Sequence, residues 1–157
     1  MPAHEGGQGM RLGFLATVMG VLLAAGVPGE AADAKKADGG IRGTWTAVSA
    51  ERNGAAADDI KGHKLTLQGD RFTIRSKGKI VYQGTFRLDP SKIPATIDFT
   101  NTGGEAKGKV WLGIYSLEGD GLKICDNADD TAKPRPATFA TEPGSGKVLV
   151  VFKRATP

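Results

Sequence analysis

From His63 to Leu88 apolar and polar residues alternate with period two, the mark of half-buried strands. Leu65 and Leu67 fall on one side against Lys64, Thr66 and Gln68, and Gly69-Asp70 turns the chain. Phe72 and Ile74 repeat the pattern against Arg71, Thr73 and Arg75, and Lys77-Gly78 turns it again. A longer strand carries Ile80, Tyr82, Gly84, Phe86 and Leu88 on one face and Val81, Gln83, Thr85 and Arg87 on the other. Asp89-Pro90 ends it, and after Pro94 the pair Ile97 and Phe99 points inward around Asp98. A first strand spans residues 41–50, and a last one residues 147–154. Between 51 and 62, the run from Ala55 to Ile60 has room for a single helical turn.

The stretch 109–127 departs from this pattern. It predicts a hairpin turning at Glu118-Gly119-Asp120-Gly121, with Leu122 and Ile124 on its second strand. In its first strand Val110, Leu112 and Ile114 point one way, and Trp111, Gly113, Tyr115 and Leu117 the other. Neither face is polar, so both need a cover. The core supplies one cover and the long, proline-containing loop 126–145 the other, with Arg135, Pro136 and Phe139 set against Trp111 or Tyr115. Eight strands joined in sequence order by short turns predict an all-β fold, an eight-stranded antiparallel up-and-down barrel that hides its sheet edges by closure. A two-sheet sandwich is the alternative.

Composition agrees: glycine is frequent (23) and aromatics are sparse (6%), as in a chain of short strands and many turns. The net charge of +4 is spread along the chain rather than clustered with stacking aromatics, which argues against a nucleic-acid binder. Residues 1–34 stand apart. Arg11 precedes an apolar run over 12–27, followed by small residues with cleavage positions after Ala31 or Ala34. That order is a secretory signal, with an uncleaved membrane anchor as its competitor. Residues 35–40 form a polar linker, and the folded domain is 41–157. The expected location is the periplasm or the extracellular space, with no membrane span after cleavage. Cys125 is the single cysteine, so no internal disulfide forms, and its simplest role is that of a small buried hydrophobe.

No enzymatic motif stands out. His63 is the one histidine after residue 34, at the start of a strand beside Lys64, and no G-x-S-x-G elbow presents a serine. The pairs Asp58-Asp59 and Asp129-Asp130 read as turn and solvent residues. Gly144-Ser145-Gly146-Lys147 lacks the first glycine of a phosphate loop (Thr141 stands there) and the hydroxyl after the lysine (Val148). Metal-ligand spacing and cofactor motifs are absent. The reading is therefore of a protein that is not an enzyme and has no cofactor.

Gly43-x-Trp45 on the first strand and Arg154 at the end of the last resemble the signature of lipocalins and their calycin relatives. The resemblance implies that Arg154 packs across Trp45 where the first and last strands meet, with Gly43, Trp45 and Arg154 closing the barrel. Over nearly the whole of 41–157 the chain also resembles an uncharacterised lipocalin-like domain family of planctomycete-type bacteria. The residues that carry this are GTW at 43–45, DP at 89–90, PATIDF at 94–99, LGIYSLEGDGLKIC at 112–125, RPATF at 135–139, GSG at 144–146 and KR at 153–154. That family implies a fold and no reaction.

An eight-stranded barrel has an interior just wide enough for side chains or one small ligand. The candidate ligand-binding residues are Tyr82, Phe72, Phe86, Phe99, Trp111 and Tyr115. The inward set on the regular strands carries no formal charge, and Arg71, Arg75 and Arg87 fall on the outward side. The expected ligand is thus small and neutral or apolar, with the Tyr82 hydroxyl as a polar contact. Gly84 and Gly113 either leave it room or let their strands bend. The alternative is a filled barrel that uses a basic outer stripe (Lys61, Lys64, Arg71, Arg75, Lys77 and Lys79) toward an anionic envelope surface or an acidic protein.

Overall fold

A computed structural model describes residues 40–156; the expected signal segment and most of the linker lie outside the described residues. The strands are β1 (Gly43–Arg52), β2 (Ala55–Ala56), β3 (Lys64–Gln68), β4 (Arg71–Ser76), β5 (Lys79–Asp89), β6 (Ala95–Gly104), β7 (Val110–Glu118), β8 (Gly121–Asp126) and β9 (Val148–Arg154). β2 is a two-residue flap on β1, and a short 3-10 turn follows it at Asp58–Ile60. The other eight strands pair antiparallel in sequence order, and β9 returns to β1, so the sheet is a closed barrel. Among the described residues no helix is long and apolar enough to cross a membrane.

The turns follow from their residues. Lys77 and Gly78 both take positive φ (50° and 80°), which joins β4 to β5 in the twist that two-residue hairpins require. Gly119 has φ of 56° between β7 and β8, where Glu118 faces Gly121 as the turn residues predict. Alternation along β3 puts Leu65 and Leu67 inside, both 1% exposed. Phe72, Phe86, Ile97 and Phe99 are likewise buried. Ile80 departs from its expected inward place and is 48% exposed. The β4–β5 ladder shifts by a residue between Ile74 and Arg75, and the strand end carrying Ile80 lies two residues from a turn at the barrel rim.

Gly84 and Gly113 have different jobs. A Cβ on Gly84 would lie 1.9 Å from the Thr100 carbonyl oxygen, so this glycine lets the β6 backbone press close where the β5–β6 ladder shifts. A Cβ on Gly113 would meet the Cβ of Asp126 at 3.0 Å and Ile97 Cγ2 at 3.3 Å. Gly113 therefore makes inward room for a side chain of the neighbouring strand.

Both faces of β7 are covered, and the pairing differs from expectation. Trp111 and Tyr115 point into the barrel and belong to its core. The loop after β8 lies over the opposite face, where Ile114 is 1% exposed. Arg135 Nη1 donates to Asp98 Oδ1 (2.6 Å) and to the Gly113 carbonyl (2.7 Å), and Pro136 is buried beside it. Asn127, fully buried, pins the start of this loop: its Oδ1 accepts from the Leu112 amide (2.8 Å) and its Nδ2 donates to the Lys133 carbonyl (2.7 Å). Arg135 and Pro136 thus cover Ile114 rather than Trp111 or Tyr115, because period two sends Ile114 and Trp111 to opposite faces. Cys125 is fully buried on the covered side, and burial pushes its thiol up to about 11, which leaves it inert.

Candidate functional site: a closed floor and an open mouth

One end of the barrel is sealed. Trp45 on β1 and Arg154 on β9 are register partners, and the guanidinium carbon sits 4.1 Å from the indole centroid. Stacked this way, a shielded cation and ring contribute about 0.5–2 kcal/mol. Arg154 also donates to the carbonyl of Arg42 at 3.0 Å and to that of Gly40, and its Nε lies 3.5 Å from Asp120. The Trp45 Nε1 donates to the Ile41 carbonyl at 2.7 Å, so its one polar atom is satisfied inside the seal. Gly43, at φ 128°, carries the backbone past this stack; a Cβ there would lie 2.9 Å from Arg154 Nη1. Gly43, Trp45 and Arg154 thus meet where β1 and β9 pair.

Above this floor the barrel is filled by Ile41, Leu67, Phe72, Ile97 and Leu122, none more than 1% exposed. The other half is not filled. A cavity of about 230 Å³ opens at the end where β1, β6 and β8 finish and β5, β7 and β9 begin. Its inner wall is apolar and aromatic: Leu65, Ile74, Tyr82, Phe99, Trp111 and Ile124, with Val150 and Phe152 of β9. Tyr82 and Trp111 meet edge to face with centroids 5.0 Å apart. Of the six candidate ligand residues, Tyr82, Phe99 and Trp111 line the cavity. Phe72 stands behind them, edge-on to Phe99 at 4.8 Å, and Phe86 and Tyr115 sit in the packed core.

The mouth carries charge that sequence reasoning did not place there. Arg52 at the end of β1 donates to Asp59 Oδ2 at 3.0 Å, and its Nε is 3.6 Å from Asp129 Oδ1. The hydrogen bonds from Arg52 hold the Asp59 carboxyl below its usual range. His63, expected at a solvated strand end, lines the cavity instead; partial burial lowers its pKa, against the pull of Asp59.

Asp126 is the larger departure. It ends β8 on the inward side, two residues after Ile124, is 8% exposed, and lines the cavity. Its Oδ1 accepts from the Ala128 amide at 3.0 Å. Burial raises its pKa to about 7, and that single backbone hydrogen bond only partly opposes the rise. The uncharged inward set was expected on the regular strands only; Asp126, at the end of β8 and outside that set, adds a carboxylate to the lumen. The alternation Leu122, Ile124, Asp126 carries the signal that would have found it. Arg52 and Asp59 are near neighbours in the chain, but nothing in the sequence brings Asp129 to them, because the loop after β8 reaches this rim only through closure of the barrel.

Among the described residues no group of three or more His, Cys, Asp or Glu side chains is arranged to hold a metal ion. No family model, no curated protein and no solved structure matches the chain.

Proposed function

We propose that this chain is a lipocalin-like binding protein, exported to the periplasm or beyond, that holds a small, largely apolar molecule in the open half of its barrel. One observation carries this reading: the lumen is packed solid beside Trp45 and Arg154 but leaves about 230 Å³ beside Trp111, walled by aromatic and aliphatic side chains. That volume is below the range of drug-sized sites, roughly 300–1,000 Å³, and fits a correspondingly small ligand. The Trp–Arg stack supports the lipocalin-like assignment, and the apolar run over residues 12–27 supports export. No cofactor enters this reading, and the site is one of binding rather than catalysis.

Trp111 reports on occupancy directly. Saturable change in its fluorescence with small apolar probes, abolished by Val150→Phe, is the expected result; a response that is linear in probe, or untouched by Val150→Phe, would sink the proposal. Native mass spectrometry of the protein from its own host would identify a retained molecule.

A second reading has one observation in its favour. Lys64 and Arg75 face each other across β3 and β4, an unfavourable like-charge pair, and neither they nor Lys77 and Lys79 form an ion pair among the described residues. Such a face suits an anionic envelope surface or an acidic protein. Binding to anionic polymers that weakens steeply with salt would support it.

A further inference from the structure

The protein carries net positive charge, yet the lining of its cavity is acidic. Asp59, Asp126 and Asp129 face it against the single guanidinium of Arg52, which is already engaged with Asp59 and Asp129. Asp126 lies deepest of the three, opposite Gly113 on β7, whose missing Cβ admits it to the lumen. Trp111 lies on the same face of β7, one diagonal step from Asp126, about 7–8 Å by strand geometry. The Trp111 Nε1 is buried and has no hydrogen-bond partner among the described residues, which is uncommon for a buried indole. Tyr82 and Phe99 complete an aromatic wall around the same space.

Resting on the lumen-binding reading above, we propose that the cavity selects small amines with an apolar body, an arylalkylamine in the simplest case, with Asp126 as the counter-ion to the ammonium group. The ammonium donates to the Asp126 carboxylate, the faces of Trp111 and Tyr82 favour the cation, and Leu65, Ile74 and Phe152 enclose the hydrocarbon. An anionic ligand is disfavoured, because it would meet a buried carboxylate while the guanidinium of Arg52 is already paired with Asp59 and Asp129. The mouth adds the same preference at longer range: unpaired acidic excess in a low-dielectric cleft raises the local concentration of cations.

Calorimetric titration of the purified protein at pH 8 with 2-phenylethylamine, its neutral analogue 2-phenylethanol and the anion 3-phenylpropanoate tests this. The amine is expected to bind about tenfold or more tighter than the alcohol, and the anion more weakly than either. Asp126→Asn, which keeps an acceptor for the Ala128 amide, is expected to bring the amine-to-alcohol ratio to about one. Alcohol and amine binding alike in the parent, or a ratio unmoved by Asp126→Asn, would overturn the amine assignment and leave the lumen site standing. Absence of binding by all three would overturn both.

A second measurement needs no variant. The parent's amine-to-alcohol ratio is expected to rise between pH 5.5 and 8 as Asp126 gives up its proton, and a flat ratio contradicts its role. The other ionisable groups on the cavity are Arg52, Asp59, His63, Tyr82 and Asp129, and among them the imidazole of His63, whose ordinary value of 6.5 is lowered by burial, needs a control. The rise should therefore persist in His63→Gln; its loss there would assign the effect to His63 and overturn Asp126 as the counter-ion.

Discussion

The two ends of this barrel use similar materials to opposite effect. At the floor an indole, a guanidinium and three backbone carbonyls satisfy one another, and Trp45 is fully buried with its N–H bonded. At the mouth there is again an indole, with an arginine at the rim, but Arg52 pairs with two aspartates and the Trp111 N–H has no hydrogen-bond partner among the described residues. The floor is a finished contact, whereas the mouth leaves an indole N–H without a partner among the described residues. In a small domain that is the difference between a part that holds the fold and a part free to hold something else.

The contrast can be broken most directly at the floor. Trp45→Ala should cost about 3–5 kcal/mol, read from the denaturant midpoint, since it removes a fully buried indole and strands the Arg154 charge. A loss below about 1 kcal/mol would mean the seal is not what holds the ends together.

At the mouth the sign reverses. The folded-state pKa of Asp126 is raised to about 7 from an ordinary 3.8, so the folded protein binds more protons than the unfolded chain between those values. Its favourable contribution is fully present below pH 3.8 and is lost as pH rises through about 7. Asp126→Asn should accordingly be more stable than the parent at pH 8, by roughly a few kcal/mol, and the gap should narrow toward pH 4. Thermal melts across that range check it, and a gap independent of pH would show that Asp126 is solvated.

Gly84→Ala tests how tightly the body of the barrel is built. Its new methyl group would collide with the Thr100 carbonyl, and a cost of about 1–3 kcal/mol is expected by chemical denaturation. The smallest effect belongs to the outer loop. Arg135→Ala removes a pair with Asp98 that is about a third exposed, together with a hydrogen bond to the Gly113 carbonyl. A loss of about 1 kcal/mol is expected, with faster proteolysis in residues 127–147 as a local readout.

What could be read from the chain ahead of its structure divides along the same axis. The floor was legible through a resemblance: Gly43-x-Trp45 and Arg154 are similar to the lipocalin signature, which implies a guanidinium packed across an indole where the first and last strands meet. The strands were legible because period two persists from Leu65 to Phe99, except where a ladder shift moves Ile80 outward. The mouth was not. Arg52, Asp59 and His63 are close in the chain, but Asp129 comes from the loop after β8, and only closure of the barrel brings it to the same rim. Asp126 lay within reach, since the parity of β8 already pointed it inward, but a carboxylate at a strand end reads as a solvent residue until Gly113 is seen to make room for it. The loop over Ile114 was foreseen as a cover and set on the wrong face, since two apolar faces on one strand give alternation no way to choose between them.

The meeting of β1 and β9 also has a consequence for how the molecule comes into being. Arg154 bonds to a carbonyl 112 residues earlier in the chain, so the cylinder cannot close before its final strand pairs with β1. Contacts this distant are slow to form. A chaperone that shields β1 during synthesis would therefore matter more to this protein than to a helical bundle of the same size.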